Sequence, residues 1–155
     1  SEFHPEALKS VKAFMKQDLA GARDEARKLL ANEKLSDAHG DAQFLIDKVD
    51  AVAAKRWAAA EEAREAGRYI EAMETLSWFG KAFKGAEEGD RAKDLLKTFK
   101  QDPLKREVAA AIKLQKLLAK LEGQPAEVRA AALGKFLKDK KVEGTHAARE
   151  AEQLQ

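Results

Sequence analysis

Any chemistry in this chain of 155 residues must come from three histidines, scattered carboxylates, a basic stretch and a short aromatic run. There is no Cys, which excludes disulfides, thiolate zinc ligands and thiol nucleophiles together. His4, His39 and His146 each stand near a helix start. His39 lies between Asp37 and Asp41, a set with the right donors for a metal. Residues two apart on a helix diverge, however, so the three make a poor chelate. Acids there suit the helix dipole. His146 and Glu150 are one turn apart, but two ligands do not close a metal site. Glu61, Glu62, Glu65, Glu71 and Glu74 have the spacing of outer helix faces. No P-loop, Gly-x-Gly-x-x-Gly, His-Glu-x-x-His or EF-hand pattern occurs. The sequence predicts no catalytic residue, no cofactor and no bound metal.

The basic stretch is the stronger signal. The net charge of +2 conceals an uneven distribution. Residues 1–90 carry 14 Lys and Arg against 18 Asp and Glu, whereas residues 91–141 carry 14 against 6. Arg106, Lys113, Lys116 and Lys120 fall along one side of a helix, and Lys135, Lys138, Lys140 and Lys141 crowd the end of another. If those two faces adjoin, phosphates or an acidic protein would find a site between them. No aromatic residue interrupts the stripe to stack on bases, and lysine near a helix C-terminus is also explained by the dipole.

The aromatic run is Trp57, Tyr69, Trp78, Phe79 and Phe83. Tyr69 and Phe79 are expected in the core. Adjacent helical side chains diverge by about 100°, so Trp78 cannot share the position of Phe79. It either covers a neighbouring helix pair or anchors a partner. Trp78, Phe83 and Trp57 are the expected partner-binding residues, since aromatic anchors dominate binding energy at interfaces.

The elements that position these groups are all helical. Ala, Lys, Glu and Leu dominate, and they lose little rotamer freedom in a helix. Pro5 opens a stripe of Leu8, Val11, Phe14 and Met15, and Leu19 to Ala31 forms a second helix. Ser36 is expected to cap a helix carrying Phe44, Leu45, Val49, Val52 and Trp57, either continuous to Gly67 or joined near Ala53. Tyr69 to Phe83 pairs with it. Gly85 and Gly89 bracket a loop before a short helix at 89–100. Asp102 and Pro103 give a start signal for the helix that ends at Gly123. After Pro125, Val128, Ala131, Ala132 and Phe136 point inward, and Thr145 caps a last helix at 146–155 containing Leu154. The expectation is one all-α domain over 1–155, with antiparallel hairpins at about 5–33, 37–84 and 103–140. These would stack as a short solenoid or irregular bundle. No apolar run is long enough for a membrane span. Residues 1–3 read as a cloning scar, which leaves room for a targeting segment or further domain upstream.

A spacing recurs in three places: Leu19/Ala22/Ala42/Leu45, Tyr69/Ala72/Ala92/Leu95 and Val128/Ala131/Ala151/Leu154. The middle copy, Gly67-Arg68-Tyr69-Ile70-Glu71-Ala72 with Leu76 and Phe79, resembles the turn and second helix of a tetratricopeptide repeat. Ala60 and Ala63 match the small positions of the preceding helix. The first copy has Gln17 where the turn glycine would stand, and the third has Lys135 where an apolar residue belongs. The copies are also farther apart than the family's repeat of about 34 residues, as in a divergent relative. Phe136 to Leu154 is similar to helical-repeat segments of bacterial envelope proteins, some of which accompany thioredoxin-like domains.

The resemblance implies a non-catalytic module for protein–protein interaction or scaffolding. Two other readings stay open. One is a module binding nucleic acid or an acidic protein through the basic face at 105–141. The other is a helical accessory domain of a larger envelope or thioredoxin-like protein. Partner identity, compartment and oligomeric state have no signature in the residues.

Overall fold

The computed structural model describes residues 2–155, so Ser1 of the candidate cloning scar lies outside the described residues. Among these residues the protein is all helical, without a strand. Its elements are α1 (Leu8–Met15), α2 (Leu19–Ala31), α3 (His39–Glu65), α4 (Tyr69–Ala82), α5 (Glu87–Thr98), α6 (Leu104–Leu121), α7 (Ala126–Leu137) and α8 (His146–Leu154). No helix is long and apolar enough to cross a membrane.

From α1 to α5 each helix packs on the next in the chain. The α1–α2 and α3–α4 turns are built alike. Gly67 has φ +79° and Gln17 has φ +62°. In each turn the following N–H reaches back five residues, from Asp18 to the Ala13 carbonyl and from Arg68 to the Ala63 carbonyl. This is the Schellman closure, in which one left-handed residue satisfies orphan carbonyls at the helix end. Gln17 therefore does the work of the missing turn glycine. Two residues later Leu19 and Tyr69 both enter the core, with Ala22 and Ala72 beneath them. The third copy of the spacing departs from this. Val128 is 47% exposed, and Ala131 and Leu154 also face solvent.

α3 is a single helix of 27 residues. With no Pro or Gly between Asp41 and Ala66, nothing interrupts its hydrogen bonding near Ala53. The central core joins Leu19, Val49, Ala72, Leu76, Phe79, Phe83, Phe99 and Val108. Smaller cores lie under the start of α3, around Leu29 and Leu45, and among α6, α7 and α8, around Leu114, Leu133 and Phe136.

Several local expectations are corrected. Ser36 does not cap α3; a 3-10 segment over Glu33–Ala38 leads into it, and the cap residue is Ala38. The cap position of α6 is Pro103, not Asp102. Gly89 lies inside α5, where a Cβ would stand 2.2 Å from the Phe83 carbonyl oxygen. It permits a close helix approach and marks no loop. Phe44 and Met15 lie 50% and 78% exposed, because the inward faces of their helices are carried by Leu45, Ala42 and Ser10. Leu133, which the spacing did not single out, takes the inward place expected of Val128 on α7.

Candidate functional site

The two basic faces do adjoin. α6 and α7 diverge, both leaning on α8 more extensively than on each other, and a groove of about 600 Å³ opens between them. Leu117, Ala132 and Phe136 form its floor, and Lys113, Lys116, Lys120, Lys135 and Lys138 line its sides. No α8 residue lines it, so α8 closes the opposite side of the three-helix unit. The lysines arrive there by helical spacing: 113, 116 and 120 are one turn apart on α6, and Lys138, which caps the end of α7, follows Lys135 by one turn.

Asp139 is the carboxylate among the described lining residues. It is engaged by Lys113 and accepts the Lys141 backbone N–H at 2.9 Å. The Lys113 ammonium and that N–H hold the Asp139 carboxyl below its ordinary range. Lys116, Lys120, Lys135 and Lys138 make no ion pair among the described residues. Beyond the Lys113–Asp139 bridge a second hollow of about 530 Å³ continues along α6, lined by Lys105, Arg106, Ala109, Ala110, Lys141 and Val142, with Asp102 as a further carboxylate in its wall. Arg106 is committed internally. Its guanidinium donates to the carbonyls of Lys140, Lys141 and Glu143 at 3.0, 3.1 and 2.6 Å, which pins the α7–α8 loop to α6.

The expected aromatic site is assembled differently. Phe83 is 0% exposed. It stacks on Phe79 inside the core, so it offers a partner no surface, and its expected role as a contact is corrected. Trp78 is half-buried across the α1–α2 turn. Its indole N–H donates to the Gln17 side chain at 3.2 Å, and the Arg56 guanidinium lies 4.0 Å from its ring centre. Trp57 is half-buried edge-on to Phe79, with its N–H on Glu61 and Arg91 at 4.4 Å above the ring. Both indoles have satisfied N–H groups and a cation over the ring face, an arrangement that holds helices together. A hollow of about 470 Å³ beside Trp57 is lined by Glu61, Glu87 and Glu88 against the single Arg91.

The histidines form no shared site. His39 Nε2 lies 3.0 Å from the Asn32 carbonyl oxygen, and the His4 backbone N–H donates to Asp41. His146 lies at the junction of the two halves. Its backbone N–H donates to Glu107 at 3.0 Å, and its Nδ1 lies 3.4 Å from both Glu107 Oε1 and the Tyr69 hydroxyl. Burial, then the Glu107 charge, pushes the Tyr69 hydroxyl pKa up. Gly67 is required at this junction, since a Cβ there would lie 2.2 Å from the His146 ring. The sequence linked His146 only to Glu150, because nothing in spacing reveals a contact across 77 positions.

Leu117, Lys105 and Asp139 were missed as site residues. The run Lys113-Leu-Gln-Lys116-Leu-Leu-Ala-Lys120 contains the signal, since Leu117 is flanked on its own face by lysines one turn away. In comparisons with known proteins, no family model matches the chain, and neither a curated protein nor a solved structure matches it.

Proposed function

We propose that this chain is a non-catalytic protein-docking module that holds an acidic segment of another protein in the α6–α7 groove. The observation that carries the reading is the convergence of five lysines from two helices on one apolar-floored groove, whose lining carboxylate is already engaged by Lys113. Unpaired cations at that density repel one another, and an anionic occupant relieves that repulsion. Helices α1–α4, with their two like-built turns, serve as the scaffold. Their likeness to tetratricopeptide repeats supports an interaction role for the chain as a whole.

A protein is favoured over nucleic acid by the floor. Phe136 is 4% exposed and offers no face for base stacking. The cations lining the groove are lysines, without the forked guanidinium that grips phosphate in two places. The aromatic alternative is weaker, because Trp57 and Trp78 are both engaged inside the fold.

The test is fluorescence anisotropy with a labelled 20-residue poly-glutamate and a 20-nucleotide single strand, at two salt concentrations. Wild type is expected to bind poly-glutamate, more weakly at high salt. Charge reversal of Lys116, Lys120 and Lys135 to Glu is expected to abolish binding, while Trp78→Ala lowers stability by about 3 kcal/mol without changing it. Binding that survives the charge reversals but not Trp78→Ala would return the site to the aromatic region. Stronger binding to the nucleotide strand would make nucleic acid the partner.

A further inference from the structure

We infer that the occupant of this groove is an acidic amphipathic α-helix that completes a four-helix bundle with α6, α7 and α8. The inference rests on the docking reading above and adds the conformation and residue pattern of the partner. Three observations converge on it.

The first is the shape of the open side. α6, α7 and α8 share a core of Leu114, Leu121, Leu133, Phe136, Val142 and Ala151. α8 fills one side of the wedge between α6 and α7, and the other side remains open over Leu117 and Ala132. A further helix can lie in that opening between α6 and α7, the geometry that helix-in-groove recognition uses.

The second is the spacing of the floor. On α7 half-buried Ala132 lies above the enclosed Phe136, and half-exposed Val128 stands one turn earlier, outside the residues that line the groove. Leu117 faces Ala132 and Phe136 from α6. This row would meet apolar residues repeating every three or four positions, as on one face of a helix. An extended acidic strand, alternating every two residues, would bring only some of its apolar groups to the floor. Ala132 is small enough to let a helix backbone approach closely.

The third is length and charge. The cationic margin runs from Lys105 to Lys120 along α6, about 22 Å at the helical rise. The hollow at Lys105 and Lys141 shares Lys113 and Asp139 with the main groove. A helix of about 15 residues spans that length. Its flanks would face Lys116 and Lys120 on one side and Lys135 and Lys138 on the other. Glu on both flanks and Leu along the seam therefore describe the complementary partner, with long lysine stems adding apolar cover at the rim.

The experiment uses the full chain and two 16-residue peptides of identical composition, capped at both ends. One places Leu at positions 3, 6, 10 and 13 with Glu and Ala elsewhere. The other scrambles the Leu positions so that they cover all faces. Isothermal titration and far-ultraviolet circular dichroism are read together. The patterned peptide is expected to bind at least tenfold more tightly than the scrambled one and to gain helicity on mixing. Ala132→Glu, which places a carboxylate on the floor, is expected to remove that preference while circular dichroism of the protein stays unchanged. Should Ala132→Glu disturb the fold, Leu117→Gln is the second variant. Equal, salt-sensitive binding of both peptides would overturn the helix inference and leave the acidic-partner reading standing. Binding of neither peptide would overturn both. Tighter binding of anionic phospholipid vesicles than of the patterned peptide, or a dimer in size-exclusion chromatography that blocks the peptide, would overturn the helix by naming a different occupant.

Discussion

The two ends of the molecule use the same helical material for opposite purposes. In α1–α5 charged side chains tie helices together. Buried Arg23 on α2 holds Glu88 on α5 through two hydrogen bonds, at 2.7 and 2.8 Å, and Asp50 on α3 at 3.0 Å. Arg56 and Arg91 lie over the two indoles. In α6–α7 four of five groove lysines face outward without a carboxylate. Around Arg23 and the two indoles the charges are held internally, save for the buried Arg23 Nε, which has no hydrogen-bond partner among the described residues; along the groove four lysines are left for something else. Charge alone does not identify a binding surface. What separates the Arg23 cluster from the groove is whether the charges gathered there already have partners.

The largest expected effect is on the satisfied side. Phe83→Ala opens a cavity beside Phe79 and should cost about 3–5 kcal/mol in denaturant unfolding. A loss below 1 kcal/mol would mean that Phe83 is not the core residue described above.

Arg23→Ala comes next. It strips Glu88 and Asp50 of their shared cation and should cost about 3 kcal/mol, towards the lower end for breaking a buried pair because Asp50 remains half in water. The hydrogen bonds from Arg23 hold the Glu88 carboxyl below its ordinary range. Its contribution is thus present above the unfolded carboxylate pKa of about 4.3 and is lost as pH falls through the lower folded value. Wild type should lose stability below about pH 4 more steeply than Glu88→Gln does. Parallel acid-unfolding curves for the two proteins would remove Glu88 from that role.

Ala72→Leu tests the close packing of α4 on its neighbours. Ala72 is wholly buried, and overpacking should cost about 1–3 kcal/mol. An unchanged melting temperature would show slack at this contact.

The smallest stability change should come from the groove. Reversing Lys116, Lys120 and Lys135 to Glu alters exposed side chains without partners, and each should move stability by less than about 0.5 kcal/mol. A larger loss would mean that these lysines hold the fold, which would collapse the contrast with α1–α5.

Helix periodicity made the fold readable in advance. Leu19–Ala31 and Tyr69–Ala82 lie where apolar spacing and turn residues put them. Start signals were less secure, because tertiary packing set where α3 and α6 begin; Ser36 and Asp102 have cap chemistry but the wrong position. The lysines of the site were legible as two stripes, but not the groove. Helical spacing says which residues share a face of one helix, whereas the splay of α6 from α7 depends on how both rest on α8. For the same reason Phe83 was misplaced. Its type fits an anchor, and only the neighbouring rings of Phe79 and Trp78 show it enclosed.

The most direct measurement is hydrogen–deuterium exchange across the whole chain, with and without a saturating patterned acidic peptide. Binding should slow exchange in α6 and α7 around residues 113–120 and 132–139 and leave α3 and α4 near Trp57 and Trp78 unchanged. Protection centred on the two tryptophans, with the lysine groove unaffected, would contradict the assignment of docking to the basic half.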